Sequence, residues 1–316
     1  MKKKSGIIIG IVIILAVAFG LSKLNSGAAN NVDESAKTVT VIDRKGEVTV
    51  PLNPKNVVVL DLSSLEILQE LGVEPAGLPK GSLTSYLDKY NDEKYADIGT
   101  VKEYDLEKIA SLNPEVIIIE NRQEEGYDEL SKIAPVLFLG TDTGKNIESL
   151  ERNLKALGTL FDQTEAAEQI LADYNSRIEA INSKVTEKNE TALFVMVNEG
   201  ELSVYGEGSR FGFIYNPVGF AVADETIESS THGQNVTSEY VKEKNPAYIF
   251  VMDRGAVVSG TTDKKANEVM ENELIKTTDA YKKGHIYYVD SEAWYLGGSG
   301  VISVDKMISD MEKAIK

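Results

Sequence analysis

The chain has 316 residues, enough for two domains, and 42% of them are hydrophobic, which is typical of a globular protein. With 33 basic and 50 acidic residues the formal net charge is -17, so a broad nucleic-acid-binding surface is excluded and any anion site must be local. The absence of cysteine excludes disulfides, iron–sulfur clusters, thiolate zinc sites, a cysteine nucleophile and lipidation of an N-terminal cysteine.

The N-terminal segment has the pattern of an export signal. Three lysines, at positions 2–4, precede an apolar run from Ile7 to Leu21. At about 15 residues the run is short for a membrane span, so the sequence leaves cleavage open. Residues 1–24 are therefore predicted to be a signal or anchor, and the small polar residues 25–37 a flexible tether. Because no cysteine is available for a lipid, our hypothesis is an uncleaved N-terminal anchor on the outer face of the cell membrane.

From residue 38 onward, short β-branched runs alternate with helical patterns, which is typical of an α/β fold. Buried parallel strands are predicted at 56–61, 115–120 and 134–139, with helices at 64–71 and 105–112. A helical pattern over 146–185 is broken only near Gly158 and 162–164. Strand patterns then return at 192–197, 247–252 and 285–289. We therefore expect an N-terminal lobe at 38–163, a connecting helix at 164–185 and a C-terminal lobe at 186–316.

An internal repeat supports two similar lobes. The segment from Glu107 through Asn113-Pro114 to the next apolar run matches the segment from Glu239 through Asn245-Pro246 without a gap. Each copy predicts a helix, an Asn-Pro stop and a buried strand, although Asn-Pro before an apolar run also arises by chance. The same alignment places Arg122 on Arg254, just beyond each strand, where ligands of open α/β sheets bind.

Arginine is rare in this chain, with six arginines against 27 lysines. Three of them lie in predicted loops: Arg122, Arg210 and Arg254. A guanidinium is planar, permanently charged and able to stack on rings, so it suits a delocalised aromatic anion better than lysine does. The alternative is that these arginines form weak surface ion pairs with the neighbouring acids Glu120, Glu207 and Asp253. The other three are expected to have ordinary solvated roles on a hairpin or on helices: Arg44, Arg152 and Arg177.

Two further segments are candidates for lining a cleft. His232 lies in a polar loop, and Trp294-Tyr295 precede a glycine-rich turn. Imidazole and phenolate are competent ferric ligands, but a solvent-exposed histidine and a packed aromatic pair are equally good interpretations of these residues alone. The chain has no dinucleotide fingerprint, P-loop or Gly-x-Ser-x-Gly elbow, which leaves a serine hydrolase using His232 without support. Two histidines and no cysteine also disfavour a bare zinc or manganese site.

Several stretches together resemble class III substrate-binding proteins of ABC importers, in the ferric siderophore branch, with a likeness to its catecholate and petrobactin-type members. The stretches are 58–66, 95–99, 119–123, 209–212, 230–234, 253–255 and 294–298. The resemblance implies two Rossmann-like lobes with mainly parallel sheets, joined by one rigid helix, with the ligand cleft between them.

The resemblance also implies roles for individual residues. Arg122, Arg210 and Arg254 would surround a triscatecholate-like ferric complex, with Trp294 adjoining the site. His232 and Tyr295 would coordinate iron only where the chelator leaves positions open. Glu107 and Glu239, one in each lobe, would dock on the permease.

The sequence thus predicts a monomeric binding protein, not an enzyme, that captures a ferric siderophore and delivers it to an ABC importer permease. No cofactor is expected, because the iron chelate is the ligand. The alternatives are binding of a hydroxamate chelate, haem or cobalamin. Three arginines close together would make the local electrostatic potential positive despite the negative net charge of the chain. Charges further away than a Debye length of about 8 Å are largely screened.

Overall fold

The computed structural model describes residues 37–228, 233–258 and 265–316. The predicted anchor, nearly all of the predicted tether, and His232 lie outside these residues. The strands are β1 Thr38–Asp43, β2 Gly46–Pro51, β3 Val57–Val59, β4 Gly77–Leu78, β5 Ala96–Asp97, β6 Val116–Ile119, β7 Val136–Phe138, β8 Thr191–Asn198, β9 Glu201–Tyr205, β10 Ala221–Val222, β11 Gln234–Val236, β12 Tyr248–Asp253 and β13 Ile286–Tyr288.

Helices cover or join these strands. They are α1 Leu62–Glu70, α2 Leu106–Ser111, α3 Tyr127–Ser131, α4 Asn146–Leu160, α5 Thr164–Lys188, α6 Ser238–Lys244, α7 Arg254–Val258, α8 Ala266–Met270, α9 Asp279–Lys283 and α10 Val301–Ala314. Short 3-10 turns and one π-helical turn, Ala293–Gly297, supplement them. Across the part of the chain that the structure describes, none of the helices combines the length and apolarity needed to cross a membrane.

The first sheet has five parallel strands in the order β5-β4-β3-β6-β7. Its central strands are short and β-branched, and they are buried on both faces because helices and loops cover each side. The three strands predicted for this lobe are confirmed, since they form β3, β6 and β7. The carboxyl ends of β3, β6 and β7 meet at one edge of the sheet.

The second sheet is mixed, in the order β11-β9-β8-β12-β13, with the short β10 also paired to β8. The predicted strands form β8, β12 and β13, which pair in parallel. The antiparallel hairpin of β8 and β9 is not among the predicted elements. It turns at Glu199 and Gly200, both with positive φ, which is the backbone of a two-residue hairpin loop.

The helical pattern after residue 146 forms two helices, and the break between them lies near residues 162–164, as the sequence predicts. Helix α4 ends at Leu160, and the left-handed Asp162 precedes the 25-residue α5, which ends at the left-handed Asn189. The last helix, α10, packs against both α1 and α5. One continuous apolar cluster includes residues of both sheets and of α4, α5 and α10. The lobe boundaries remain a prediction, and α10 contacts helices on both sides of them.

The internal repeat has the same local geometry in both copies. Asn113 and Asn245, each followed by proline, adopt left-handed conformations with φ of 47° and 41°. They end α2 and α6 and turn the chain into β6 and β12, which are buried strands of the two sheets. The left-handed asparagine is the αL helix stop, and proline prevents the helix from continuing. The two copies of the repeat therefore share the same order of helix, left-handed stop and buried strand.

Candidate functional site

A cavity of about 220 Å³ lies at the carboxyl edge of the parallel sheet. Residues following β3, β6 and β7 form one wall, as expected for an open α/β sheet. Arg210 and the π-helical turn around Tyr295 form the other. The residues that line it are Asp61, Leu62, Ser63, Glu120, Asn121, Arg122, Thr141, Asp142, Thr143, Asn146, Arg210, Trp294, Tyr295, Leu296 and Gly298. Four predicted ligand-binding residues therefore line one cavity: Arg122, Arg210, Trp294 and Tyr295.

Two of the three predicted arginines converge on Tyr295. The Arg210 guanidinium lies over the Tyr295 ring, 4.7 Å from its centroid, and donates to the Tyr295 carbonyl oxygen at 2.6 Å. Arg254 Nε donates to the Tyr295 hydroxyl oxygen at 3.0 Å, and its Nη1 donates to Asn198 Oδ1 at 2.8 Å. Neither arginine forms a salt bridge among the described residues. Both guanidinium groups thus contact the same aromatic residue.

Arg210 is a partly buried cation on the wall of the cavity. Burial lowers the pKa of its guanidinium, and the positive charge of Arg122 acts in the same direction. Both residues line the same cavity, so the two positive charges face one region of the cleft. Asp61, Glu120 and Asp142 also line that cavity, but Arg210 forms no salt bridge among the described residues, so a bound anion would supply the opposite charge that its guanidinium lacks.

Arg122 forms an ion pair with the neighbouring Glu120, as the alternative of local ion pairs predicted. Its Nη1 lies 2.9 Å from Glu120 Oε1, and about a third of the side chain, 35%, is exposed. Glu120 is itself nearly buried. Local pairing therefore holds for Arg122 and fails for Arg210 and Arg254, because among the described residues Arg122 alone of the three forms a salt bridge with the neighbouring acid.

Arg44 and Arg152 depart from the solvated roles expected of them. Arg44 Nε lies 2.9 Å from Asp142 Oδ1, and Arg152 Nη1 lies 2.5 Å from Asp142 Oδ2. Desolvation raises the pKa of Asp142, but the hydrogen bonds and charges of Arg152 and Arg44 outweigh it and lower that pKa overall. Asp142 lines the cavity. The guanidinium groups of Arg44 and Arg152 therefore contact a residue of the cavity wall. Sequence reasoning missed this cluster because its members come from three separate segments.

Asp61 is another cavity residue that the sequence did not single out. Its carboxylate caps α1 by accepting hydrogen bonds from the Ser63 and Ser64 amides at 3.0 and 3.1 Å. Burial, followed by the nearby charge of Glu120, raises its pKa to about 6. The Asp-x-Ser-Ser pattern after a buried strand is a helix-start signal that could have located it.

Trp294 belongs as much to the core as to the cavity. It is 2% exposed, packs 5.2 Å from the Phe194 ring and 5.8 Å from the Phe213 ring, and donates from Nε1 to Asp310 Oδ2 at 3.1 Å. The neighbouring Tyr295 is half-buried and faces the arginines. Within the described ranges, no group of three or more His, Asp or Glu side chains could hold a metal ion.

Glu107 and Glu239 lie apart from the cavity, in the first turns of α2 and α6, and both are exposed. Their positions are equivalent in the internal repeat. A hydrogen bond from the Thr237 side chain lowers the pKa of Glu239, so that carboxylate stays charged at neutral pH. The two residues therefore present one negative charge from each half of the repeat.

A larger groove of about 730 Å³ lies beside Glu239 on the second sheet. Its charged lining residues are all acidic: Glu201, Glu239, Glu268 and Glu271. Such a groove would repel an anionic chelate. The smaller cavity with the guanidinium groups is the better site for an anion.

Comparisons with known proteins agree with this geometry. The petrobactin-binding protein YclQ of Bacillus subtilis is 40% identical over 311 residues, which cover 97% of both chains. The ferric-anguibactin-binding protein FatB of Vibrio anguillarum is 30% identical over 292 residues, covering 90% of both. The crystal structure of YclQ has a TM-score of 0.83 at 41% identity and covers 88% of this chain and 99% of that chain.

A second solved structure is similar over the same region. The catecholate-siderophore binding protein VctP from Vibrio cholerae has a TM-score of 0.82 at 34% identity, covering 87% of this chain and 99% of that chain. These matches confirm the predicted two-lobed α/β architecture and the prediction of a binding protein instead of an enzyme. The model of the family described as periplasmic binding protein matches residues 57–293. The chain therefore belongs to the periplasmic binding protein family.

Proposed function

We propose that this protein captures a ferric siderophore of catecholate or mixed catecholate–carboxylate type outside the membrane and delivers it to an ABC importer. The observation that carries the proposal is the pair of guanidinium groups, Arg210 and Arg254, held on Tyr295 beside the cavity. Arg122 stands on the opposite wall and would exchange Glu120 for the bound anion. No bond is made or broken in this function.

The physical chemistry of the cleft fits a delocalised anion. Guanidinium groups hydrogen-bond to catecholate oxygens and stack on catecholate rings, and both interactions strengthen where water is excluded. At about 220 Å³ the cavity is smaller than the roughly 300–1,000 Å³ of typical ligand pockets. A siderophore complex would therefore seat one face in the cavity and leave the remainder toward the cleft opening. Tyr295, and His232 beyond the described residues, would coordinate iron only where the chelator leaves sites vacant.

The relatives support the ligand class and the location. Their names state binding of petrobactin, ferric anguibactin and catecholate siderophores, and one further relative is named a probable siderophore-binding lipoprotein. We infer an extracytoplasmic site of action at the outer face of the membrane, with residues 1–24 as the signal or anchor and the protein acting as a monomer. The permease would contact Glu107 and Glu239.

Titration of Trp294 fluorescence tests the ligand class, because this is the single tryptophan of the chain. A ferric tris-catecholate is expected to quench the emission, since the coloured complex would lie near Trp294 and energy transfer needs no direct contact. Iron-free catecholate and ferrioxamine-type hydroxamates, as controls, are expected to give a weaker response or none. A stronger response to the hydroxamate would reject the catecholate assignment, and no response to any ferric complex would reject the proposed function.

Charge reversal at the two exposed glutamates tests delivery. Glu107→Lys and Glu239→Lys are each expected to lower cellular uptake of the radiolabelled ferric complex roughly tenfold, because each replaces attraction to a basic permease residue by repulsion. Ligand affinity of the purified protein should stay unchanged, since both residues lie outside the cavity. Glu93→Lys, another exposed acidic position, is the matched control. Uptake equal to that control in both variants would remove these residues from the docking surface.

A further inference from the structure

Glu66 is a fully buried acid that the proposed ligand site does not use. It lies on α1 with no exposed surface. Ser303, on α10, donates to it from the backbone amide at 2.7 Å and places its hydroxyl oxygen 2.6 Å from both carboxyl oxygens. The Tyr86 hydroxyl adds a third contact at 3.2 Å. The carboxyl group therefore joins the helix that begins at Asp61 to the helix that follows the glycine-rich turn.

The glycine-rich turn is shaped around this contact. A Cβ atom at Gly300 would lie 2.2 Å from Glu66 Oε2, and one at Gly297 would lie 2.0 Å from Ser303 Oγ. Both positions thus require glycine because the Glu66–Ser303 pair fills the space beside them. The carboxyl group and the turn fit together as one packed unit.

Further hydrogen bonds attach the same turn to residues around the cavity. Ser63 donates from its hydroxyl to the Gly297 carbonyl oxygen. Asn146 Nδ2 donates to the Gly298 carbonyl oxygen at 3.1 Å, and the hydroxyl groups of Thr141 and Ser299 lie 2.8 Å apart. The turn directly follows the π-helical turn that carries Tyr295. Its position therefore sets the position of the ring that Arg210 and Arg254 contact.

No cation balances Glu66. Among the described residues, no lysine or arginine forms an ion pair with it. The titratable groups that act on it or that it acts on are Asp61 at the start of α1, Tyr86 from the 3-10 turn and Tyr174 from α5. Burial raises the pKa of Glu66 to about 8, against the opposing effect of the Ser303 and Tyr86 hydrogen bonds. The neutral acid is thus the dominant form at pH 7, and glutamine is its structural equivalent.

We propose that Glu66 is a positioning residue of the ligand site: through Ser303 and the turn 297–300 it holds Tyr295, and with it Arg210 and Arg254, in the arrangement that receives the anion. The inference rests on the proposed function for the identity of the ligand. The placement of Tyr295 by Glu66 is a property of the unliganded protein, so that part of the inference is independent of the proposed function. The carboxyl group accepts the hydrogen bonds of Ser303 and Tyr86, and its ionisation would loosen the turn because a fully buried negative charge without a cationic partner among the described residues is costly.

The test compares Glu66→Gln, Glu66→Leu and the exposed Glu70→Gln from the same helix as matched control. Hydrogen-exchange protection factors of residues 293–300, which correct for the base-catalysed rise of intrinsic exchange with pH, and acrylamide quenching of Trp294 are measured on the unliganded proteins from pH 7 to pH 9. The wild-type and Glu70→Gln proteins are expected to lose protection with a midpoint near pH 8. Glu66→Gln should keep its protection across the whole range, and Glu66→Leu should have low protection throughout.

Affinity for a ferric tris-catecholate is the second measurement. Glu66→Gln should bind as the wild-type protein does at pH 7, whereas Glu66→Leu should bind at least about tenfold more weakly, as when only a tenth of the molecules hold a competent site. If Glu66→Leu fails to fold, the pH profile of Glu66→Gln decides the matter. A pH transition in Glu66→Gln equal to that of the wild type would overturn the proposal, and so would unchanged exchange and affinity in Glu66→Leu. If the wild-type protein binds no ferric catecholate, the proposed function fails and the exchange data still decide the role of Glu66.

Discussion

Replacing Arg210 with alanine is expected to weaken the affinity for a ferric catecholate by about 1–3 kcal/mol, which is roughly 5- to 150-fold. Arg210 is mostly enclosed, lies over the Tyr295 ring and shares its region of the cleft with Arg122. A charge-assisted hydrogen bond made there is screened little by water. Isothermal titration calorimetry of the purified variant measures the loss directly.

Alanine substitution of the other two arginines, Arg122 and Arg254, is also expected to weaken the affinity for a ferric catecholate. Arg254→Ala removes a hydrogen bond to the Tyr295 hydroxyl and one positive charge. Arg122→Ala removes a more exposed charge and leaves Glu120 facing the anion, so it weakens binding through repulsion as well. Glu120→Gln is the opposite change: it releases Arg122 for the ligand and should strengthen binding.

Two controls separate the site from general effects of charge. Lys283→Ala removes one exposed positive charge from α9, away from the cavity, and should leave affinity unchanged. Arg210→Lys keeps the charge but loses the planar fork, so it should recover only part of the affinity. If alanine at each of the three positions leaves the affinity at the wild-type value, then Arg122, Arg210 and Arg254 have no role in binding the ligand.

Stability is expected to fall as the pH rises from 6 to 8, and Glu66 should cause a large part of the change. The folded-state pKa of Glu66 is about 8 and its ordinary value is 4.5. Between these values the unfolded chain has released the proton that the folded protein retains, so raising the pH favours unfolding. The slope for one such group is about 1.4 kcal/mol per pH unit near pH 6 and about half of that at pH 8, which amounts to about 2 kcal/mol over this interval.

Chemical denaturation of Glu66→Gln measures this contribution. Because glutamine does not titrate, the variant should have a flatter dependence and be the more stable protein at pH 8. Asp61, whose pKa is raised to about 6, acts in the same direction but mainly below pH 6, so the chosen interval isolates Glu66. Glu70→Gln should retain the wild-type slope. Parallel curves for wild type and Glu66→Gln would show that Glu66 ionises as an ordinary carboxyl group.

The acidic groups with lowered pKa values belong to a different pH range. Hydrogen bonds from Tyr240 and then Thr226 lower the pKa of Asp224, and hydrogen bonds from Arg177 lower that of Glu312. Their stabilising contribution is present above the ordinary carboxyl pKa and is lost as the pH falls through the folded value. Neither group therefore changes the free energy of unfolding between pH 6 and pH 8.

Elements whose signal is contained in one short segment are predictable from the sequence. The buried strands have β-branched runs, the helix after residue 146 breaks at Asp162, and both copies of the repeat stop at Asn-Pro. Elements with weak local patterns are not. The β8–β9 hairpin depends on a turn at Glu199-Gly200, and the short strands β4, β5 and β10 have only two residues each.

The candidate site divides in the same way. Residue chemistry and loop position alone pointed to Arg122, Arg210 and Arg254, since arginine is rare in this chain, all three lie in predicted loops, and two of them directly follow predicted strands. Tertiary structure decided which partners they have: Arg210 meets Tyr295 across 85 residues, and Arg122 stays on Glu120. It also decided that Arg44 and Arg152 share Asp142 and that Glu66 reaches Ser303 across 237 residues. Periodicity and residue type are local properties, whereas such pairings arise only when distant segments pack together, and no single segment encodes them.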